Sequence, residues 1–332
     1  MAKVEQLKAL LQSHIEGDDA RFFAVAMQIA AHEARLGHGS IATELRVLID
    51  EAKARQAGSP LSRGPVPIIQ PRGELASLLS ASFPSARLAD MVLPSTIAGR
   101  LARILKEQRQ LAKLRTHGLR PRRKLLLIGP PGTGKTMSAS ALAGELGLPL
   151  FVIRLDGIIT KFLGETAAKL RLVFDAISHT RGVYLFDEFD SIGTQRAMPN
   201  EVGEIRRVLN NFLQFIDQDE SDSLILAATN HPDLLDHALY RRFDDVIAFT
   251  MPDRTRIINT FKAKLAPYST EILDWDCLAA AAEGLSYAEI TRACQDAAKD
   301  MVIHDQTTLS GAVLLRALQE RMSIPASGSA IT

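Results

Sequence analysis

The strongest chemical signal in the chain is the glycine-rich segment at residues 129–136, which reads GPPGTGKT. It fits the phosphate-binding pattern G-x-x-x-x-G-K-[ST], with an apolar run at 124–128 before it and a helical pattern after it. Glycines let backbone N–H groups turn inward around a phosphate, and the following helix directs its positive end there. We therefore expect Lys135 to bridge the β- and γ-phosphates of a nucleotide and Thr136 to ligate Mg²⁺. The residues predicted to contact the nucleotide here are Gly129, Pro130, Pro131, Gly132, Thr133, Gly134, Lys135, Thr136 and Met137.

Polar side chains end two further apolar runs. Asp187 and Glu188 follow residues 183–186, and Asn230 follows residues 224–229. Together with the phosphate loop, they predict that Asp187 holds Mg²⁺ through its water shell and that Glu188 polarises an attacking water. Asn230 is positioned to orient that water. The alternatives are that the two carboxylates cap a helix and that Asn230 belongs to a simple turn.

The elements that must position these side chains alternate between short apolar runs and helical patterns. This alternation predicts an α/β fold with a parallel sheet covered on both faces, and the pattern then becomes purely helical. The predicted strands are 124–128, 149–154, 182–186, 224–229 and 245–249, and the later helical stripes are 254–266, 274–283, 286–305 and 309–321.

Composition divides the chain further. Residues 1–57 predict a small bundle of three amphipathic helices, expected to recruit a protein substrate or partner. Residues 58–73, rich in proline and glycine, predict a linker. The α/β domain is expected at 74–250 and a helical subdomain at 251–322, with a flexible tail at 323–332.

The bulk numbers exclude several classes of protein. The chain has 332 residues, a net charge of +1 and only two cysteines, which excludes a polycation and a disulfide framework and favours the cytoplasm. No apolar run is long enough to span a membrane, and the N-terminus lacks a signal pattern. His32 and Glu33 begin like a zinc-protease helix, but the second histidine of that motif is missing.

One strongly basic stretch leaves an alternative open. Residues 100–124 contain ten arginines and lysines against a single acid, Glu107. Such a run can bind nucleic-acid phosphates, but no aromatic residues interleave with it to stack on bases. We favour a solvated helix face, so nucleic acid is not the expected partner.

Several motifs in one order resemble the AAA family of P-loop ATPases over roughly residues 85–305. Residues 129–136 look like its Walker A motif, 184–190 like Walker B, and 228–230 like sensor 1. The resemblance implies a three-layer α/β ATPase domain with a helical lid, hydrolysis of ATP with Mg²⁺, and a ring of identical subunits, expected to be a hexamer.

Arg241 and Arg242 resemble the arginine fingers of this family, which reach the γ-phosphate held by the neighbouring subunit. Their adjacency is similar to the katanin- and spastin-like remodelling branch. The alternative is that they bind a local helix end or the pair Asp244 and Asp245. Residues 284–290 resemble the sensor-2 region, with Tyr287 where relatives often have glycine, and this implies that Gly284 and Ala288 pack near the adenine or ribose. Asp90, Met91 and Val92 resemble the adenine-contacting stretch, with Leu119 nearby.

Lys161, Phe162 and Leu163 resemble the pore loop of the family, in which an aromatic side chain grips an extended polypeptide. The alternative is that Phe162 is buried in the core. A second pore loop is placed at 198–203.

The resemblance implies a motor that unfolds, remodels or disassembles proteins. The alternatives are a nucleic-acid-directed ATPase or loader and a non-threading regulator of a partner enzyme such as a peptidase.

Overall fold

The computed structural model describes residues 73–158, 163–190, 201–235 and 237–323, with a few positions between 25 and 47. The chain divides into two units, Met1–Ile69 and Gln70–Thr332. In the first unit, residues 25–27, 29, 30, 43 and 47 are helical. The rest of the predicted bundle, the linker up to residue 72 and the tail from residue 324 lie outside the described residues, so these predictions stay open.

The second unit begins with short elements and continues as alternating strands and helices. Its strands are β1 Leu79–Ser82, β2 Lys124–Ile128, β3 Leu150–Ile153, β4 Val183–Phe186, β5 Leu224–Thr229 and β6 Asp245–Ala248. Its helices are α1 Glu74–Leu78, α2 Ser95–Arg109, α3 Leu111–Thr116, α4 Lys135–Leu146, α5 Leu155–Ile158, α6 Leu163–His179, α7 Glu201–Gln218, α8 His237–Tyr240, α9 Arg254–Leu265, α10 Trp275–Ala281, α11 Tyr287–Ile303 and α12 Gly311–Met322.

The strands form one sheet in the order β1-β3-β4-β5-β2-β6. β2 to β6 pair with one another in parallel, which confirms the predicted α/β fold. β1 was not predicted. It pairs antiparallel with β3 at the edge of the sheet, and its sequence, LSAS, lacks the apolar run that marks the buried strands.

Alternate side chains of the central strands point to opposite faces of the sheet, and each face has its own core. On one face, Tyr184 and Phe186 pack with Phe174 of α6 and Phe212 of α7. On the other, the packing residues include Leu125, Leu127, Leu185, Leu226, Leu101 of α2 and Leu142 of α4. The domain therefore has three layers, as predicted.

The helices α9 to α12 form a separate core, which we call the lid. Each begins with a side chain that accepts hydrogen bonds from the backbone N–H groups of its first turn, as N-cap residues do. These caps are Asp253, Asp274, Ser286 and Ser310. Among the helices of the described residues, none is both long and apolar enough to cross a bilayer.

Candidate functional site

The carboxyl ends of β2, β4 and β5 meet at one edge of the sheet because these strands are parallel. The phosphate loop follows β2, the pair Asp187 and Glu188 follows β4, and Asn230 follows β5. Ligands of open α/β sheets bind at such edges. The fold thus brings together the three polar strand ends that the sequence predicted.

The phosphate loop has the conformation for which glycine is required. Gly129, Gly132 and Gly134 have φ values of 141°, 72° and 104°. A Cβ on Gly129 would lie 2.3 Å from the carbonyl oxygen of Phe249, and one on Gly132 would lie 2.4 Å from Oγ of Ser286. The loop is therefore closely packed between the sheet and the lid, with its conformation fixed before a ligand enters.

Lys135, the first residue of α4, points back into the loop and is 7% exposed. Its Nζ donates to the carbonyl oxygens of Gly129 and Pro130 at 2.7 and 2.8 Å, and to Oδ1 of Asn230 at 2.7 Å. Burial lowers the pKa of Lys135, and the nearby carboxylates of Asp187 and then Asp190 oppose that shift. The ammonium group thus lies where phosphate oxygens would meet it, beside Asn230.

Thr136 and Asp187 fit the Mg²⁺ that the phosphate loop implies. The Thr136 hydroxyl donates to Oδ2 of Asp187 at 2.8 Å, so a hydroxyl and a carboxylate already converge at the edge of the cleft. Oxygen ligands of these two kinds suit Mg²⁺, which keeps most of its waters in such sites. Thr136 and Asp187 would hold the ion, which would supply positive charge to neutralise the phosphate oxygens.

Glu188 is exposed at the end of β4 and has φ 49°, in the left-handed region that side-chain-bearing residues seldom occupy. Its N–H donates to Oδ1 of Asp187 at 3.0 Å. The next residue, Phe189, is buried and its N–H donates to the carbonyl oxygen of Ala228 in β5 at 2.8 Å. The turn is thereby fixed to β5, and Glu188 lines the cleft, where its action on a water stays a prediction.

Asp190 has a structural role that the sequence analysis missed. Its Oδ1 accepts from the Thr229 hydroxyl at 3.0 Å and from the Asn230 N–H at 3.3 Å. Asp190 therefore fixes the backbone that presents Asn230 to Lys135. The signal was present in the sequence as a third carboxylate in the turn, three residues after Asp187, but only the fold shows which strand end it reaches.

A cleft of about 540 Å³ connects these groups with the lid, a volume ordinary for a small-molecule site. The N–H of Ala288 donates to the carbonyl oxygen of Gly132 at 3.1 Å, joining lid and phosphate loop directly. The cleft is lined by Asp90, Met91, Val92 and Leu93, by Pro131 to Met137, by Asp187, Glu188 and Asn230, and by Thr260, Lys264, Tyr287, Ala288, Thr291, Arg292 and Gln295.

Two residues predicted near the base lie elsewhere. Gly284 does not line the cleft; it is exposed, with φ 89°, in the turn before α11. Leu119 is 56% exposed and lines a separate cleft of about 400 Å³ beside Arg120 and Asp222. The positions of these two residues depend on how the chain folds, which the spacing of residues in the sequence does not reveal.

Residues 83–94, which we call the strap, carry Asp90, Met91 and Val92 to the cleft. The strap crosses α4 at Gly144, where a Cβ would lie 2.2 Å from the carbonyl oxygen of Ala86. Arg87 donates through Nη1 to the carbonyl oxygen of Gly144 at 2.9 Å, and its N–H donates to Oδ2 of Asp90 at 2.8 Å. The carboxylate of Asp90 thus stabilises the turn of the strap itself.

Arg241 and Arg242 lie far from the cleft of their own chain. The N–H of Asp244 donates to the carbonyl oxygen of Lys124, so this segment is at the amino end of β2, whereas the phosphate loop is at its carboxyl end. At about 3.3 Å per residue, β2 alone separates them by roughly 13 Å. Arg242 pairs with Asp217 at 2.8 Å, while Arg241 is exposed and has no partner among the described residues.

Lys161 and Phe162, the core of the predicted pore loop, lie outside the described residues; Leu163 begins α6. Residues 198–200 of the second predicted pore loop also lie outside, and 201–203 begin α7. These predictions therefore stay open. In the parts of the chain that the structure describes, no group of three His, Cys, Asp or Glu side chains could hold a metal ion.

The basic stretch at 100–124 is largely neutralised within the chain. Six of its ten basic residues form ion pairs, and Lys124 Nζ donates to the carbonyl oxygen of Ile216. The pairs are Arg100–Asp245, Arg109–Glu145, Arg115–Asp222, Arg120–Glu220, Arg122–Glu107 and Arg123–Asp219. Most of this positive charge is thus compensated by neighbouring elements.

Comparison with known proteins adds independent support. Residues 125–251 match the profile of the ATPase family associated with various cellular activities, AAA. The uncharacterized AAA family ATPase y4kL of Sinorhizobium fredii is 37% identical over 320 residues, 96% of both chains. The ATP-dependent zinc metalloprotease FtsH 4 of Sphaerobacter thermophilus is 32% identical over 73% of this chain and 38% of its own length. The meiotic spindle formation protein mei-1 of Caenorhabditis elegans is 37% identical over 61% of this chain and 45% of its own.

This chain spans less than half the length of the last two relatives but nearly all of the first. The family match at residues 125–251 includes the phosphate loop and the strand ends around it. The chain therefore belongs to the AAA family, and it is an ATPase that uses ATP with Mg²⁺.

Proposed function

We propose that this ATPase works as a ring of identical subunits, expected to be a hexamer, that unfolds, remodels or disassembles protein substrates. The observation that carries the proposal is the separation of Arg241 and Arg242 from the cleft of their own chain. An arginine stabilises the charge of a transferred phosphoryl group only in direct contact, and such a contact is worth several orders of magnitude in rate. If Arg241 or Arg242 makes this contact, it therefore does so in the cleft of a neighbouring copy.

The two arginines are not equivalent candidates for this contact. Arg242 is paired with Asp217, so reaching a neighbour's cleft requires that ion pair to break. Arg241 is exposed and without a partner among the described residues. We therefore propose Arg241 as the principal finger and Arg242 as a residue that fixes the segment against α7.

A complementation experiment tests the shared site. Arg241→Ala and Glu188→Gln each remove one half of it, so each variant alone should hydrolyse ATP far more slowly than the wild type. Mixed rings should regain activity, because an intact Glu188 can then face an intact Arg241 from the adjacent subunit. Arg242→Ala serves as the matched control and should lose less activity than Arg241→Ala.

Turnover per subunit is measured across protein concentration, with mass photometry on the same samples. Turnover that rises as larger assemblies form, together with rescue in the mixture, supports the proposal. Turnover that is independent of concentration, with no rescue and no effect of Arg241→Ala, would show that the site is complete within one chain.

The remodelling part of the proposal rests on the resemblance of Lys161, Phe162 and Leu163 to a pore loop and on the family of the relatives. Phe162→Ala is expected to leave ATP turnover intact while abolishing unfolding of a model substrate. Retained unfolding would refute the role given to Phe162, and a wild-type protein that hydrolyses ATP but unfolds no substrate would favour the alternative, a non-threading regulator of a partner such as a peptidase. We also propose that residues 1–57 recruit the substrate or partner, and that the protein is cytoplasmic, since Cys277 and Cys294 are both free thiols.

A nucleic-acid-directed ATPase is less well supported. The basic stretch at 100–124 is occupied with intramolecular ion pairs, and phosphate binding would have to compete with them. Stimulation of turnover by single-stranded DNA or RNA that falls steeply with added salt would reverse this preference.

A further inference from the structure

The hydroxyl of Tyr287 is buried and has no hydrogen-bond partner. In the part of the chain that the structure describes, it is the one buried side-chain oxygen or nitrogen in this condition. Buried polar groups are almost always hydrogen-bonded, because an unpaired one keeps the cost of losing water. Such an exception at a functional site indicates a group whose partner arrives in another arrangement of the molecule.

Tyr287 is fixed at the junction of the lid and the phosphate loop. It is the first residue of α11 and lines the nucleotide cleft. Ser286 before it caps the helix by accepting from the N–H of Glu289, and Ala288 after it donates to the carbonyl oxygen of Gly132. The backbone on both sides is therefore held, and the ring stands as part of the cleft wall on the side of the lid.

Two charged groups act electrostatically on the hydroxyl, and both lie in the segment that connects the sheet to the lid. They are Arg256 and Asp253, which lie at the start of α9, directly after the chain leaves β6. Asp253 already accepts from the Arg256 N–H at 2.9 Å and from its Nη1 at 2.6 Å. Its carboxylate retains lone pairs for a further donor. Burial raises the pKa of Tyr287, so the hydroxyl keeps the proton that it would donate.

We propose that Tyr287 is a positioning residue that couples nucleotide binding to the lid: its ring contacts the nucleoside portion of the nucleotide, and this contact turns its hydroxyl toward Asp253, to which it donates. The ring then contacts the nucleotide, and the hydroxyl contacts the start of α9. Because α9 and α11 share one buried core, it is the Tyr287 side chain that moves, and the new hydrogen bond joins the cleft wall to the start of α9. The inference depends on nucleotide binding alone and not on the proposed ring.

The test separates the hydroxyl from the ring in the full-length chain. Tyr287→Phe removes only the hydroxyl, and Tyr287→Gly removes the ring as well. Tyr268→Phe is the matched control, because Tyr268 belongs to the same lid but does not line the cleft. Binding of ADP with Mg²⁺ is measured by calorimetry, and the melting temperature is measured with and without ADP.

Tyr287→Phe should weaken ADP binding by roughly 2- to 12-fold, the range that one net hydrogen bond provides. Tyr287→Gly should weaken it further, and Tyr268→Phe should leave it unchanged. Tyr287→Phe should also reduce the rise in melting temperature that ADP produces. A merely structural hydroxyl would lower the melting temperature equally with and without ADP, and that result, or unchanged ADP affinity, would overturn the proposal.

A second pair of variants tests the partner. Asp253→Ser keeps a side chain that can cap α9 but removes the carboxylate to which the tyrosine would donate. If the two groups act together, Tyr287→Phe should have little further effect on ADP affinity in the Asp253→Ser background. Losses that simply add would show that the hydroxyl and Asp253 act independently, and would refute the coupling.

Discussion

Asp190 offers the sharpest test of how the site is organised, because it contacts no predicted ligand yet holds a residue that should. One oxygen of its carboxylate accepts from the Thr229 hydroxyl and from the Asn230 N–H. Asn230 in turn accepts from Lys135 at 2.7 Å. Replacing Asp190 with alanine removes the acceptor of the hydrogen bonds from Thr229 and Asn230. The hydroxyl of Thr229, which is fully buried, then loses its acceptor.

The magnitudes follow from these two hydrogen bonds. A hydrogen bond to a charged group contributes about 1.5–3 kcal/mol. Thr229 still accepts from the N–H of His231 at 3.0 Å, but its own hydroxyl proton loses its acceptor. We expect the free energy of unfolding to fall by about 2–4 kcal/mol. A displacement of Asn230 by about 1 Å is enough to lower kcat by about 10- to 100-fold.

Steady-state ATP hydrolysis, ADP binding and urea unfolding together test this reasoning. For Asp190→Ala, kcat should fall while KM for ATP changes by less than about threefold, because the walls of the cleft formed by the strap and the lid are untouched. Asp190→Asn, which keeps an acceptor oxygen, should lie between alanine and wild type. Asp276→Asn, an exposed carboxylate of the lid, is the control.

The result that would refute the reasoning is a normal kcat in Asp190→Ala when Asn230→Ala is strongly impaired. Asn230 would then be held by other contacts, and the series from Asp190 to Lys135 would have no part in hydrolysis. A fall in ADP affinity as large as the fall in kcat would also contradict it, since the cleft itself would have been disturbed.

Two further predictions concern stability and the strap. Arg123→Ala breaks an ion pair whose side chains are 10% and 1% exposed and should cost about 3–5 kcal/mol, whereas Arg120→Ala breaks a pair exposed at 70% and 75% and should cost less than about 1 kcal/mol, both read from urea midpoints. Gly144→Ala places a Cβ against the backbone of Ala86 and should raise KM for ATP through the displaced strap, at a stability cost of about 1–3 kcal/mol. Gly99→Ala, in α2 with open space around it, should instead stabilise by about 0.4–1 kcal/mol; equal KM values in the two alanine variants would contradict the role given to the strap.

Much of the fold could be predicted because the central strands are buried on both faces and read as continuous apolar runs. Residues 124–128 and 224–229 were predicted with the bounds that the structure has. The phosphate loop could be located for a related reason, since its glycines and lysine occupy fixed spacings set by one local conformation. Such patterns are determined by neighbouring residues in the sequence, so no distant residue is needed to interpret them.

What the sequence could not provide depends on contacts between distant segments. β1 exists because β3 supplies its hydrogen bonds, not because its residues favour a strand. Among the described residues, Arg242 is paired and Arg241 is not because Asp217, on α7, lies beside Arg242. The basic stretch at 100–124 is another example, because its partners are scattered over positions from 107 to 245 and only the fold brings them together.

The two edges of a parallel sheet are chemically different, and this constrains any assembly in which copies share a site. Glu188 and Asn230 lie at the carboxyl edge, and Arg241 lies at the amino edge. If Arg241 of one copy completes the cleft of another, the two copies contact through different surfaces, so the interface is heterologous. Such contacts close into a ring when the rotation between copies divides a full turn, and otherwise propagate as a filament. A fully active assembly with one defined mass would therefore support the ring. A fully active isologous dimer would require the arginine to come from elsewhere.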